Sequence, residues 1–403
     1  MICHLFKLMW NRKRKNFLMT VEIFISFLVL FFALTLLIFN LNNYLRPLGF
    51  SYDHIWFVTF DWKDTPKEEV RESLQQVKGI LNSYTEVENH AFSKSFIFMS
   101  FTSNNGTFNY KNNEINIELL NGEDTFDDVL GIRIVEGRWF DESDNVYNQV
   151  PVVINRNTEK NLFLGESGLG KVFADNYDNS KKEFKVIGII DDFRNTGQYS
   201  QSKNVMFRRI NLHEDIEINE FLQSSMLNRL LIKVRPGTDA VFEQKMMQQL
   251  SAVAKGFNFK IKTAEAAKKN ADRSMLVLPV LMIIIGGFLV INVALGLFGI
   301  IWYNINNRRS EIGLRRALGS SVNRIYGQII GESLVLSTFS IILGCIIAIQ
   351  FPLLNFIGFI DVEIYYVALI ATIVLIYLVA LFCALYPGKI AAQIEPATAL
   401  HYE

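Results

Sequence analysis

Residues 276–303 read LVLPVLMIIIGGFLVINVALGLFGIIWY and contain no charged side chain. A helix needs about 20 apolar residues to cross a hydrocarbon core roughly 30 Å thick, and this run is long enough. Three similar runs lie outward from it. Residues 17–39 carry only Glu22 as a charge, residues 329–354 only Glu332, and residues 365–386 none. Four membrane crossings are therefore expected. The first run is too long for a cleaved signal peptide, and no small-residue cleavage site follows it before Asn42, Asn43 and Tyr44.

The totals agree. The 403 residues are 50% hydrophobic with 33 phenylalanines, and 40 basic residues balance 40 acidic ones. This composition excludes a disordered chain, a collagen-like fibre and a nucleic-acid binder. The balance hides an asymmetry that sets orientation, because Lys and Arg near span ends mark the cytoplasmic side. Lys7, Arg12, Lys13, Arg14 and Lys15 fall in residues 1–16, and Arg308, Arg309, Arg315, Arg316 and Arg324 in residues 304–328. Lys389 lies in the tail, residues 387–403, whereas residues 355–364 hold Asp361 and Glu363 and no basic residue. Both termini and the 304–328 loop are thus expected in the cytoplasm, and residues 355–364 outside. Residues 40–275 become one large extracytoplasmic domain. Cys3, Cys345 and Cys383 all lie outside that domain, so no disulfide staples it and its core must suffice.

Within this domain strand-like and helix-like stretches alternate. Ile55–Asp61 reads as a strand and Thr65–Tyr84 as a helix with Val70, Leu74, Val77 and Leu81 on one stripe; strand resumes near Ala91–Phe101. Near the other end, Leu230–Val234 reads as a strand. Thr238–Ala254 reads as a helix with Phe242, Met246, Leu250 and Val253 on one face, and Phe257–Ile261 as another strand. Two β-α-β units sharing one sheet make a ferredoxin-like arrangement. Residues 102–226 would form an inserted β-rich subdomain, with strands near Ile115–Leu120, Val150–Ile154, Phe184–Ile190 and Val205–Ile210. Thr263 is placed to cap a helix that runs straight into the second span. The expected fold class is an integral membrane protein with four transmembrane α-helices and a large extracytoplasmic α+β domain between helices 1 and 2.

Signals of chemistry are weak. Gly165 to Val172 follows the phosphate-binding loop pattern except at its last position, where Val172 lacks the hydroxyl that coordinates magnesium. It reads as a surface turn, and no ATPase site is expected on this chain. His4, His54, His90, His213 and His401 are not in ligand spacing, so no metal and no catalytic residue is expected. Inside the spans, Glu22 is expected to snorkel, and Asn292 and Glu332 to hydrogen-bond between helices. Gly286, Gly287, Gly296 and Gly299 would admit a neighbouring helix.

The strongest local pattern follows the second span: Arg308-Arg309-Ser310-Glu311-Ile312-Gly313-Leu314-Arg315-Arg316-Ala317-Leu318-Gly319. Ser310 can cap a helix with Glu311 in its first turn. Leu314, Leu318, Val322 and Ile325 would form its apolar face, opposite the arginines. A lipid-headgroup contact and a docking element for a cytoplasmic partner both fit.

This stretch closely resembles the R-x-x-E-I-G-x-R-R-A-x-G signature of FtsX-like/MacB-type ABC transporter permeases. Asn292 matches the Asn common in the preceding span, and Gly331-Glu332-Ser333-Leu334 with Gly344 resembles the pattern of the following one. The tail, Tyr386-Pro387-Gly388-Lys389-Ile390-Ala391-Ala392 and Glu395 to Glu403, looks like the family's ending, with His401 where Arg is usual. Gly137-Arg138-Trp139-Phe140, Val152 to Asn155 and Val186 to Arg194 resemble a MacB-like periplasmic core domain. The resemblance implies a permease of the bacterial cytoplasmic membrane that dimerises with a second copy or a paralogue and works with a separate ABC ATPase subunit, which would carry ATP and magnesium. Arg308, Arg309, Glu311, Ile312, Gly313, Arg315, Arg316, Ala317 and Gly319 would form the coupling element. Asn292, Gly296, Gly299, Glu332 and Gly344 would serve helix packing. The implied role is mechanotransmission for export, efflux or lipoprotein handling, with membrane lipid and an outer-membrane or periplasmic protein as further contacts. The alternative is an FtsX-type regulator driving cell-wall hydrolases.

Overall fold

In the computed structural model, the structure describes residues 13–61, 65–95, 97–98, 104–146, 149–175, 182–210, 228–354, 357–358 and 360–393. The expectations for residues 1–12, for part of the insert (211–226) and for the tail motif from Glu395 onward lie outside them. The chain divides into two compact units, Asn43–Met275 and the remainder.

The second unit is helical. Helix α1 spans Lys13–Leu45; α6 Ala264–Asn307; α7 Arg309–Ala317; α8 Val322–Ala348, followed by the short α9, Gln350–Leu353; and α10 Val362–Ala392. Four of these are long and apolar enough to cross a membrane. Helices α1, α6 and α10 outrun their apolar stretches at both ends, because apolarity marks only the part that hydrocarbon can cover while backbone hydrogen bonding carries the helix into water. Helix α8 extends past its stretch only at the N-terminal end. Ile23, Phe27 and Phe31 of α1 pack with Val293 and Leu297 of α6, Leu336 and Ile341 of α8, and Ala368, Ile376 and Ala380 of α10. Gly344 makes this packing possible: a Cβ there would stand 2.3 Å from Cδ1 of Phe27, which is fully buried. Ser340 adds an interhelical bond, its Oγ donating to Thr20 O at 3.0 Å. Glu22 departs from the snorkelling expectation. Its carboxylate lies against Gly296 of α6, where a Cβ would come within 2.7 Å of Oε1.

The first unit holds a ferredoxin-like sheet. Strands β1 (Ile55–Asp61), β2 (Val87–Ser93), β10 (Arg229–Val234) and β11 (Asn258–Thr263) stand in the order β11-β1-β10-β2, all antiparallel. Helices α2 (Lys67–Ser83) and α5 (Ala240–Val253) connect β1 to β2 and β10 to β11. Their stripes of Val70, Leu74, Val77, Leu81 and Phe242, Met246, Leu250 bury against Trp56, Val58, Phe60, Leu230 and Ile232. The period-3.6 stripe of a helix thus meets the period-2 face of a strand.

The insert contains β3 (Asn105–Tyr110), β4 (Asn113–Gly122), α3 (Phe126–Leu130), β5 (Ile134–Gly137), β6 (Val150–Asn155), α4 (Arg156–Leu162), β7 (Val172–Asp175), β8 (Glu183–Ile190) and β9 (Val205–Arg209). Pairings run β4-β3-β7-β8-β6-β9, and β9 returns parallel to β4, closing a six-stranded barrel. Phe108, Ile117, Val152, Ile154, Phe173, Phe184 and Met206 fill it. Among the described residues, each of the six ring strands is paired on both sides, and β5 pairs with β8 off the ring. Strands β3, β5 and β7 escape the sequence reading because they are short or polar; β3 reads NGTFNY. Residues 165–171 form the expected turn, with Gly165 and Gly170 in the left-handed region, and lead into β7.

Candidate functional site: a ring at the turn between spans two and three, and an arginine clamp in the large domain

Helix α6 ends at Asn307 and α7 starts at Arg309, so Arg308 is the joint between them. Ser310 therefore lies inside α7 and is not its cap. The guanidinium of Arg308 reaches two carboxylates: Nη1 donates to both oxygens of Glu332 on α8, at 3.1 and 2.9 Å, and Nε pairs with Glu311 at 3.4 Å. Glu311 also accepts from Arg315 at 2.6 Å. Arg315 Nη1 donates to Gln328 Oε1 at 3.0 Å, and Gln328 Nε2 donates to Glu332 Oε1 at 3.0 Å. Arg308, Glu332, Gln328, Arg315 and Glu311 thus close a ring joining α6, α7 and α8. Glu332 bonds between helices, its partner being the Arg308 charge. That pairing offsets the cost of holding a carboxylate near the end of a span.

The ring fixes one side of α7, and apolar contacts fix its underside. Ile312 is buried with Ile301 and Ile305 of α6, Ile325 of α8, and Ala384 and Ala391 of α10. Gly313 is buried beside it, and Arg309 and Arg316 are half-buried. The expected apolar face is revised here. Leu314, Leu318 and Val322 are exposed, Leu318 by 79%, together with Ala317, and only Ile325 of that set is buried. Helix α7 and its C-terminal cap therefore present Leu314, Ala317 and Leu318 outward as an apolar knob. Gly319 ends the helix at φ +93°, with Gly319 N–H donating to Arg316 O at 3.0 Å and Ser320 N–H to Arg315 O at 2.9 Å. This paired bonding needs a left-handed residue, which glycine adopts without strain. Gly319→Ala should cost roughly 1 kcal/mol; the check is faster amide hydrogen exchange over residues 309–320.

Two other predicted packing residues do not pack against a neighbouring helix within this chain. Asn292 Nδ2 donates to Phe288 O of its own helix at 2.8 Å and is exposed. Gly299 has open space where its Cβ would be. Both belong to an outward face of α6 on which Ile284, Phe288, Ile291 and Leu295 are also exposed.

The large domain contains a node that sequence reasoning missed. Arg194, in the loop after β8, is only 2% exposed. Its guanidinium donates to Pro47 O at 3.1 Å, Asn43 O at 2.8 Å, Gln198 O and Ser200 O at 3.0 Å each, and Arg46 O. From the same loop, Gln198 N–H donates to Asp272 Oδ1 at 2.7 Å, and Asp272 also pairs with Lys268 at 2.7 Å. Asn43 Nδ2 returns a bond to Tyr199 O at 3.1 Å, and Tyr44 stacks on Tyr199. Loop 194–200 thus holds the segment after the first span (residues 43–47) and the first turns of α6 in one network. Burial pushes the Arg194 pKa down, and the Asp192 and Asp272 charges oppose that shift. The only sequence sign was Arg194 at the close of the Val186–Arg194 stretch, with no partner visible nearby. Among the described residues, no group of three or more His, Cys, Asp or Glu side chains could hold a metal ion.

Four helices long and apolar enough to span a membrane, an ion-paired helix between the second and third, and a large domain inserted after the first are the architecture of a multi-pass membrane protein. The profile described as FtsX-like permease C-terminal matches residues 282–396, and that of the MacB-like periplasmic core domain matches residues 25–249. The chain belongs to the MacB/FtsX-like family of ABC transporter permeases. It is 23% identical over 354 residues to a macrolide export ATP-binding/permease protein MacB of Bdellovibrio bacteriovorus, covering 83% of this chain and 50% of that one. It is 25% identical over 284 residues to an uncharacterised ABC transporter permease of Methanocaldococcus jannaschii, covering 68% of this chain and 66% of that one. The chain therefore spans about half the length of its MacB relative. The crystal structure of the periplasmic region of MacB from Actinobacillus actinomycetemcomitans aligns with a TM-score of 0.38 at 17% identity, covering 57% of this chain and 97% of that one.

Proposed function

We propose that this chain is a permease subunit that couples ATP hydrolysis by a partner ATPase to motion of its large domain, in the service of export or lipoprotein handling. The closed ring around Glu311 carries this reading. A docking helix can pass force into a membrane bundle only if it is held on more than one side. Here the ring ties α7 to α6 and α8, and Ile312 seats it on α6, α8 and α10. The outward knob of Leu314, Ala317 and Leu318 offers an apolar surface of the kind that fills a cleft in a partner. The arginine-rich 304–328 loop and both termini face the cytoplasm in this reading, where the ATPase supplies ATP and magnesium. Helix α6 is one element from Ala264 to Asn307, and in this reading it is the element that carries displacement at Arg308 to the large domain. The outward face of α6, with Asn292 and Gly299, meets lipid or a second permease copy.

Glu311→Lys tests the reading. It places a third cation between Arg308 and Arg315 and opens the ring from inside. Reconstituted in proteoliposomes with its ATPase, the variant should lose permease-stimulated ATP hydrolysis while inserting normally. Stimulation equal to the unaltered protein's would reject the coupling role. Capturing binding partners with the full-length protein in membranes then separates the cargo readings: an outer channel or a lipoprotein supports export or lipoprotein handling, and a cell-wall hydrolase supports a regulator.

A further inference from the structure

The ferredoxin-like sheet has two faces, and helices α2 and α5 cover one of them. The other carries two cross-strand rows fixed by register. Lys262 pairs with Phe57 and Phe57 with Leu231; Lys260 pairs with Thr59 and Thr59 with Arg229. Directly paired residues project to the same side of a sheet, so one row is an apolar floor with a lysine at its edge. The next row is a threonine flanked by two cations. Adjacent strands lie about 4.8 Å apart, which sets Lys260 and Arg229 roughly 10 Å from one another across Thr59.

Above these rows is a cavity of about 460 Å³, roofed by Ile97 and Phe98 on one side and by Ala267, Ala271 and Ser274 of α6 on the other. The volume falls in the roughly 300–1,000 Å³ range of small-molecule sites. Phe57, Leu231, Phe98 and Ala271 also belong to or pack against the domain's apolar core, so the cavity interior is greasy. Arg229 donates from Nη1 to Lys94 O at 2.9 Å, and burial lowers its pKa to about 10, which leaves it charged at neutral pH. The nearest acid along β1 on this face, Asp61, lies one pleat beyond Thr59 and does not line the cavity. The last lining residue, Ser274, is two positions before the apolar run that begins at Leu276.

The geometry points to a binding site for a single-chain amphiphile with one anionic head group, its hydrocarbon tail over Phe57 and Leu231 and its head over Thr59 among Arg229, Lys260 and Lys262. An apolar floor alone would accept any greasy molecule. Lys260 and Lys262 on β11, with Arg229 across Thr59 on β10, select a carboxylate or phosphate head through charge-assisted hydrogen bonds and disfavour a neutral one. The site shares no residue with the coupling ring, and its occupancy can be read without the ATPase.

The test is photolabelling of the full chain in phosphatidylcholine nanodiscs with a diazirine-bearing palmitic acid, with the matching palmityl alcohol as neutral control, followed by peptide mapping. Label from the acid is expected in peptides containing Phe57, Phe98, Leu231 and Ala271, competed by unlabelled palmitate, with the alcohol labelling them about tenfold less, the scale of one lost charge-assisted contact. Leu231→Trp, which fills the floor, should remove that label. Lys260→Glu with Lys262→Glu alters only exposed side chains, and should lower labelling by the acid about tenfold while sparing labelling of the spans. Label confined to the spans overturns the site. Equal cavity labelling by acid and alcohol, or labelling by the acid that survives the double lysine change, overturns the anionic selectivity.

Discussion

Arg194→Ala should destabilise the large domain by roughly 3–5 kcal/mol, a sizeable share of the about 5–15 kcal/mol that holds a typical domain together. The arginine is 2% exposed and satisfies the carbonyls of Asn43, Arg46, Pro47, Gln198 and Ser200. Truncation leaves those acceptors facing a cavity, and each unsatisfied buried group costs about 1–3 kcal/mol before relaxation. Arg194→Lys should recover only part of the loss. An ammonium has three donors at one point, whereas the planar guanidinium spreads its donors over a fork that reaches both residues 43–47 and residues 198–200. Denaturant unfolding of the full chain in detergent measures the loss, and limited proteolysis near residues 43–47 and 194–200 locates it. If Arg194→Ala unfolds at the same midpoint as the unaltered chain, the clamp contributes nothing. The same variant should also weaken coupling, since residues 43–47 and 268–272 lose the loop that holds them in one network.

The second large effect falls on activity, with little change in stability. Arg308→Ala should lower permease-stimulated ATP hydrolysis within the roughly 5–150-fold range of coupling energies between distinct sites. Arg308 is the joint of α6 and α7 and the one ring member that touches both Glu311 and Glu332. The ring is half-exposed, so its pairs add only about 0–1 kcal/mol each to stability, and unfolding should barely move. Glu332→Gln removes the charge of the other half of the Arg308–Glu332 pair while keeping a neutral acceptor. Its effect on coupling should be smaller than that of Arg308→Ala, because the Arg308–Glu311 contact survives. The double variant should be no worse than Arg308→Ala alone, the non-additivity expected of two residues acting through one contact. Additive losses from the two single changes would show that they act separately, and unchanged stimulation in Arg308→Ala would leave the ring without a coupling role.

Some of this architecture is written in local pattern. The four spans follow from apolar length, and the helices of the ferredoxin-like sheet from stripes such as Val70, Leu74, Val77 and Leu81, because hydrophobic periodicity is a short-range property. Glu311 and its arginines stand out for the same reason, being consecutive in the chain. Other features depend on pairs that are distant in sequence. Closure of the barrel needs β9 to meet β4, the ring needs Glu332 and Gln328 to come back to Arg308 and Arg315, and Arg194 finds Asn43 across 151 positions. The apolar face of α7 was misread from spacing because Leu314 and Leu318 suit a buried stripe as well as an exposed knob. Sequence determined which segments are apolar, which are charged and where the strongly periodic elements run, since those depend on a residue and its near neighbours. Tertiary structure alone decided which charge answers which, which helix face is left open and which sheet face encloses a cavity, because those depend on chain segments brought together only when the whole core packs.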